Sequence, residues 1–228
     1  MCIRDRASLD SLLRLYDAVQ TEVDLVEGEQ AGQALASEEA RRLLTIPGVG
    51  TNTALALVGV IGDIGRFDSA SRLVGYLGLD PKVRQSGDSP QRGGHISRAG
   101  QAHARAMLVE AAHVAVRTPG PLRGFYLRLK ARRGAHIALC AVARKIAVIA
   151  WHMLTKGEDY RYQAPTLTRK KLRALQVKAG VTEGRIRIAA EYEAGKIERR
   201  ALETTQRAYE ELVQARRVGA GATKGDAT

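Results

Sequence analysis

Aromatic side chains are scarce in this sequence. One tryptophan, seven tyrosines and two phenylalanines make up 4% of 228 residues. A surface that holds bases mainly by stacking needs more of them, which shifts expectation toward backbone phosphates. Cysteine is scarcer still. Cys2 and Cys140 are isolated, so neither a disulfide framework nor a cysteine-rich zinc site is available, and both fit a reducing, cytoplasmic compartment. No signal-peptide pattern is visible, and long unbroken apolar runs are missing. The longest, 137–154, contains Arg144, Lys145 and His152 and reads as a buried helix, not a bilayer span. Acidic residues are outnumbered, 24 against 36 lysines and arginines, which leaves a net charge of +12 and a pI of about 10.1. That surplus favours a polyanion partner, most simply nucleic acid, although ribosomal or membrane-surface binding would produce the same balance.

What is present centres on 77–100, LGLDPKVRQSGDSPQRGGHISRAG. It holds two prolines, five glycines, three serines and four cationic residues, with no sustained helical or strand period. Such a segment between apolar helices is predicted to be a surface loop, where binding and chemistry concentrate. Ser86 precedes Gly87, whose freedom would let the backbone present the hydroxyl to a ligand. Lys82, Arg84, Arg92 and Arg98 surround it with positive charge, as an anionic substrate requires; the alternative is a solvated basic face. Ser97 is expected to cap a helix over 98–117, whose free N–H groups would face the loop. A serine ringed by arginines near a helix N-terminus suggests phosphate. On the residues alone, an ordinary turn is the commoner fate of Ser-Gly.

Residues 8–44 read as helix, with Leu9, Leu12, Leu13, Tyr16, Val19, Val23 and Val26 recurring every three or four positions. The stripe is narrow, like a coiled-coil seam, and Gly28 and Gly32 weaken it enough to allow two helices. The chain enters this helix almost at once, as though beginning partway through a longer protein. Ile46-Pro47-Gly48-Val49-Gly50, between helices, resembles the turn of a helix-hairpin-helix module. Gly48 and Gly50 would permit a tight turn whose N–H groups hold one DNA phosphate without reading sequence; a plain αα turn is the alternative. Further helices are predicted over 67–77 (capped by Asp68 or Ser69), 122–132, 135–156 (the core element, ended by Gly157), 168–179 and 183–217. Asp159, Tyr160, Arg161, Tyr162 and Pro165 read as an extended exit. The last helix shows an apolar seam too thin to stand alone, and a disordered tail is expected over 219–228. His103, His113, Asp63, Asp68, Asp80 and Asp88 form no metal-ligand pattern. The expected fold is mainly α. A coiled-coil-like helix over 1–43 precedes a compact helical domain over 44–165 that opens on the helix-hairpin-helix-like turn. A basic, charged helical extension follows over 166–218.

The ordered set IPGVG, GLDPKVRQSG, RGGHISRAG, an alanine-rich helix and ARKIA resembles the C-terminal domain of the IS-one-ten (also one-sixteen) family of insertion-sequence transposases. The likeness covers roughly residues 40–165, and the set is specific although each motif alone is not. The resemblance implies DNA transposition with a serine nucleophile, which falls on Ser86. The family's Ile-Ser-Lys element appears as Ile96-Ser97-Arg98-Ala99-Gly100, with arginine keeping the charge. The resemblance also implies an N-terminal RuvC-like domain whose acidic residues bind magnesium. That domain is not seen in this sequence, so a partial chain is expected, with Mg2+ held through the missing domain, none on this chain, and no activity alone. DNA as substrate, a structured bridge RNA as guide and a homo-oligomer with composite active sites are implied as partners, and no membrane. Lys82, Arg84, Arg92, Arg98 and Arg105 would then clamp phosphates, together with Gly48 and Gly50. The competing class is a non-catalytic helix-hairpin-helix protein that binds DNA or RNA; a weaker one is a ribosome- or RNA-associated structural protein.

Overall fold

Helix α7 (Ala135–Lys156) owes its central place to spacing. Ala138, Leu139, Val142, Ala143, Ile146, Ala147, Ala150 and Met153 fall on one broad helical face and are all buried. Gly157 ends the helix in the left-handed region, at φ 71°, with its N–H on the Met153 carbonyl. The computed structural model describes residues 3–84, 92–97, 99–182 and 189–222. Among them are nine α-helices and one strand pair, a mainly α fold as expected. α4 (Ala70–Tyr76), α5 (Ala102–Ala115) and α6 (Pro121–Arg133) pack around α7. α5 buries Ala104, Leu108, Ala111, Ala112 and Ala115 between α7 and α3 (Thr51–Ile61). Small alanines at such a contact let helix axes come close. α7 is long and apolar enough to cross a bilayer, but its apolar face is the centre of the core.

The predicted 8–44 helix does divide, though not at its glycines. α1 (Ile3–Ala36) runs straight through Gly28 and Gly32. It stops at Ser37, whose hydroxyl accepts the Ala40 N–H at 3.0 Å and so caps α2 (Glu38–Leu44). Gly28 serves a contact instead: a Cβ there would lie 3.2 Å from the Lys178 carbonyl oxygen at the end of α8 (Pro165–Lys178). The end of α1 is anchored by α3 and α8, and its Ala31 and Ala34 are fully buried. Upstream, Leu9, Leu12, Tyr16, Val19, Val23 and Val26 remain 43–64% exposed.

At the other end, Pro165 is not part of an extended exit but opens α8, where its missing N–H costs nothing. The start predicted at 183 lies outside the described residues. α9 (Ala189–Ala222) reaches past the expected start of the tail. The face that packs within the chain is not the expected apolar seam, whose Ala201 and Ala208 are exposed, but the one beside it. Leu202 is buried, Tyr209 and Gln206 pack on Gly124 of α6, and the Glu198 carboxylate accepts from the N–H and hydroxyl of Thr166 at 3.0 and 2.6 Å. Ile197 and Leu212 stay 68% and 62% exposed.

The segment 77–100 departs from the loop expectation. β1 (Pro81–Arg84) pairs antiparallel with β2 (Arg92–Ile96), with Pro81 opposite Ile96, Val83 opposite Gly93 and Arg84 opposite Arg92. Its alternation is hard to see because β1 has one apolar residue and β2 carries two glycines. Proline at the first position of an edge strand is tolerated.

Candidate nucleic-acid interface

α2 and α3 are joined by the turn 45–50, which drives Ile46, Pro47 and Val49 into the core. The two glycines of the turn have different surroundings. Gly48 (φ 86°) backs onto α5, where a Cβ would sit 2.2 Å from the Ala111 carbonyl oxygen and 2.7 Å from the Ala115 nitrogen. Gly50 is exposed, has open space around it and is the N-cap of α3 with no side-chain capping bond. The first N–H returned to the helix is that of Ala54, to Gly50 at 2.9 Å. The first-turn N–H groups of Thr51, Asn52 and Thr53 therefore have no helical acceptor. An anion approaching this turn meets Gly50 and the start of α3. On one flank Asn52 shares a groove with Val19, Val23 and the carboxylates Glu22 and Glu27 of α1, which disfavours an anion from that side.

Sequence reasoning missed what holds this turn. Lys171 of α8 donates to the carbonyls of Leu44, Ile46 and Val49 at 2.7, 3.0 and 2.8 Å. These acceptors lie at the end of α2 and in the turn, where helical bonding leaves carbonyls over. Burial of the ammonium lowers its pKa to about 8. Nothing local announces this role, because a lysine in a basic helix reads as surface and its acceptors lie over a hundred residues away. Beside it the Tyr160 N–H donates to Thr45 Oγ1 at 2.9 Å.

The base of the 77–100 segment is a stapled neck. Ser97 donates its N–H to the Asp80 carbonyl at 2.8 Å and its hydroxyl to Asp80 Oδ1 at 2.5 Å. The Gln101 N–H donates to the Tyr76 carbonyl at 3.2 Å. Gly78 (φ 68°) and Gly100 (φ 117°) let the two legs cross; a Cβ on Gly100 would lie 2.1 Å from the Tyr76 carbonyl oxygen. This overturns the expectation that Ser97 caps a helix from 98. α5 begins at Ala102, with Gln101 at its N-cap and no side-chain capping bond, because Gly100 at positive φ cannot continue a helix. On the earlier helix, Ser69 and not Asp68 is the cap.

The cationic positions separate by role. Arg105 is half-buried and donates from Nη1 to the Leu77 carbonyl at 3.4 Å, against Gly78, so it closes the neck. Arg66 lies 4.8 Å from the centroids of both Phe67 and Tyr76, and hydrogen bonds from Arg66 and then Gln101 hold the Tyr76 phenol below its ordinary pKa. Lys82 is exposed on β1. Strand pairing sets Arg84 directly opposite Arg92. Ser86 and Arg98 lie outside the described residues.

Residues 40–127 match the Transposase IS116/IS110/IS902 family, a stretch running from α2 through the turn, the neck and α5 into α6. Over these residues the chain belongs to this transposase family. The transposase for insertion sequence element IS1111A of Coxiella burnetii is 35% identical, over 59% of this chain and 38% of its own. A probable family 20 transposase of Pseudomonas aeruginosa is 34% identical, over 68% of this chain and 48% of its own. The transposase for insertion sequence element IS1328 of Yersinia enterocolitica is 31% identical, over 65% of this chain and 46% of its own. This family member thus spans less than half the length of each of these relatives.

Proposed function

We propose that this chain is the serine-bearing, C-terminal part of a DNA transposase guided by a structured RNA. The observation that carries the reading is the family match over 40–127, which includes both the turn at Gly50 and all of 77–100. In this reading Ser86 Oγ attacks a DNA phosphodiester in line. The Oγ–P bond forms and the P–O3′ bond breaks; the serine proton passes to a base and the departing 3′ oxygen takes one up. The product is a phosphoserine link and a free 3′ hydroxyl, with the bond energy kept for rejoining.

Lys82, Arg84, Arg92 and Arg98 hold the reacting phosphate. Four cationic residues gathered within 82–98 attract an anion, which supports the assignment. Arg105 acts at one remove, by closing the neck. Gly50 and the start of α3 hold a second phosphate in the helix-hairpin-helix manner, with Gly48 shaping the turn against α5. The described residues include no group of three or more His, Cys, Asp or Glu able to hold a metal ion. Mg2+ belongs to an acidic RuvC-like domain of the whole protein, where it would polarise the phosphate. The exposed seam of α1 pairs with a second copy.

The deciding experiment joins this chain to such an acidic domain and traps protein on labelled DNA, followed by denaturing electrophoresis. Ser86→Ala should abolish the adduct while DNA and RNA binding stay within about threefold, because one hydroxyl adds little ground-state binding. An adduct that survives in Ser86→Ala overturns the nucleophile. Binding without an adduct in either chain favours a non-catalytic binding protein.

A further inference from the structure

We infer that the cavity between α6, α7, α9 and the 158–162 turn is a separate site that takes one unpaired nucleotide of a nucleic-acid strand. Its volume of about 530 Å³ is in the range of small-molecule sites. Aromatic residues are few in this chain, yet Phe125, Tyr160, Tyr162 and Tyr209 all line this one cavity. Arg128, Lys145, Lys156 and Arg161 line it as well, against two carboxylates, Glu158 and Asp159. π faces for a base, combined with cations for its phosphate, are the two components of a single-strand site. A paired duplex keeps its base faces stacked and cannot offer one without extruding a nucleotide.

Arg128 adds an independent sign. Its guanidinium lies over the rings of Phe125 and Tyr209, at 5.4 and 5.9 Å. Its Nε is buried and makes no hydrogen bond. A buried N–H without an acceptor carries a desolvation cost, and a phosphate oxygen or base carbonyl supplies the acceptor. Lys145 and Lys156 are exposed at the same cavity, which suits attraction of a charged strand from solvent. The site goes beyond the strand-transfer reading and stands without it, since a chain that binds strands but never cuts them would use it in the same way. Single-stranded DNA and RNA present the same chemistry here.

The test uses the full 228-residue chain with two decamers, a DNA carrying 5-iododeoxyuridine and an RNA carrying 5-iodouridine. After irradiation, peptide mass spectrometry should place adducts on Phe125, Tyr162 or Tyr209 with at least one probe. The stronger probe names the natural source. Adducts only elsewhere, or none with either probe, overturn the proposal. In parallel, Arg128→Gln combined with Tyr209→Leu should weaken decamer binding about tenfold by fluorescence anisotropy and change binding to a blunt duplex less than twofold. Equal losses on both, or no loss, count against the site. If the double variant does not fold by circular dichroism, the cross-linking arm decides on the unaltered chain.

Discussion

α1 and α7 are both long, and both place apolar residues every three or four positions, yet their surroundings are opposite. α7 buries eight residues among α4, α5 and α6. α1 leaves Leu9, Leu12, Tyr16, Val19, Val23 and Val26 in solvent and buries Ala31 and Ala34 only near its end. The difference lies in the width of the stripe. The α7 residues cover a broad face that several neighbours can enclose. These six α1 residues alternate steps of three and four along a narrow seam, with Leu13, Leu15 and Leu25 also exposed beside it, and another helix of the same kind would cover it. Periodicity therefore says that a helix forms, and stripe width says how many neighbours it requires.

Truncation in each helix separates the two environments most strongly. Ile146→Ala should cost about 2–5 kcal/mol by cavity formation. Val19→Ala should stay within about 0.5 kcal/mol in the monomer. Urea unfolding at concentrations where sedimentation reports a monomer measures both, and equal costs would erase the distinction. Val19→Glu with Val23→Glu should remove self-association at higher concentration and leave the unfolding midpoint unchanged.

A smaller effect tests how α1 is anchored. Lys171→Met should cost about 2 kcal/mol, because it strips charged hydrogen bonds from three carbonyls. Amide exchange should speed up in α2 and the end of α1, and not in the middle of α7. Its pH dependence has a definite sign. Burial lowers the Lys171 pKa to about 8 from an ordinary 10.5. Between those values the unfolded chain keeps the proton that the folded chain releases. The native protein should therefore gain stability relative to Lys171→Met as pH rises through that window, with no such slope below about pH 8.

The smallest effect compares two glycines of α1. Gly32 has open space around it, so Gly32→Ala should stabilise by up to about 1 kcal/mol. Gly28→Ala should gain less or lose, since its Cβ would press on the Lys178 carbonyl at 3.2 Å. Equal rises in melting temperature would mean that α1 and α8 are not tightly apposed.

Much of the helical framework was legible. The limits of α7 coincide with those read from the sequence, because Gly134 and Gly157 punctuate the chain locally at both ends. Two helices over 8–44 were allowed on the strength of Gly28 and Gly32, whereas the break falls at Ser37, whose hydroxyl caps α2. Around 77–100 the composition pointed to a special segment, and two strands were overlooked because proline and paired glycines hide a period of two. Ser97 looked like a cap from its position alone and proved to be a staple to Asp80.

By itself, then, the sequence determined the helices, their punctuation, the positive surplus and the seam of α1, since each depends on residues within a few turns of one another. The tertiary structure alone decided that Gly48 faces α5 while Gly50 faces solvent, and that Lys171 closes the α2–α3 turn. It alone gathered Phe125, Tyr160, Tyr162 and Tyr209 into one cavity. Those outcomes rest on contacts between residues far apart in the chain, for which helix and strand periodicities carry no signal.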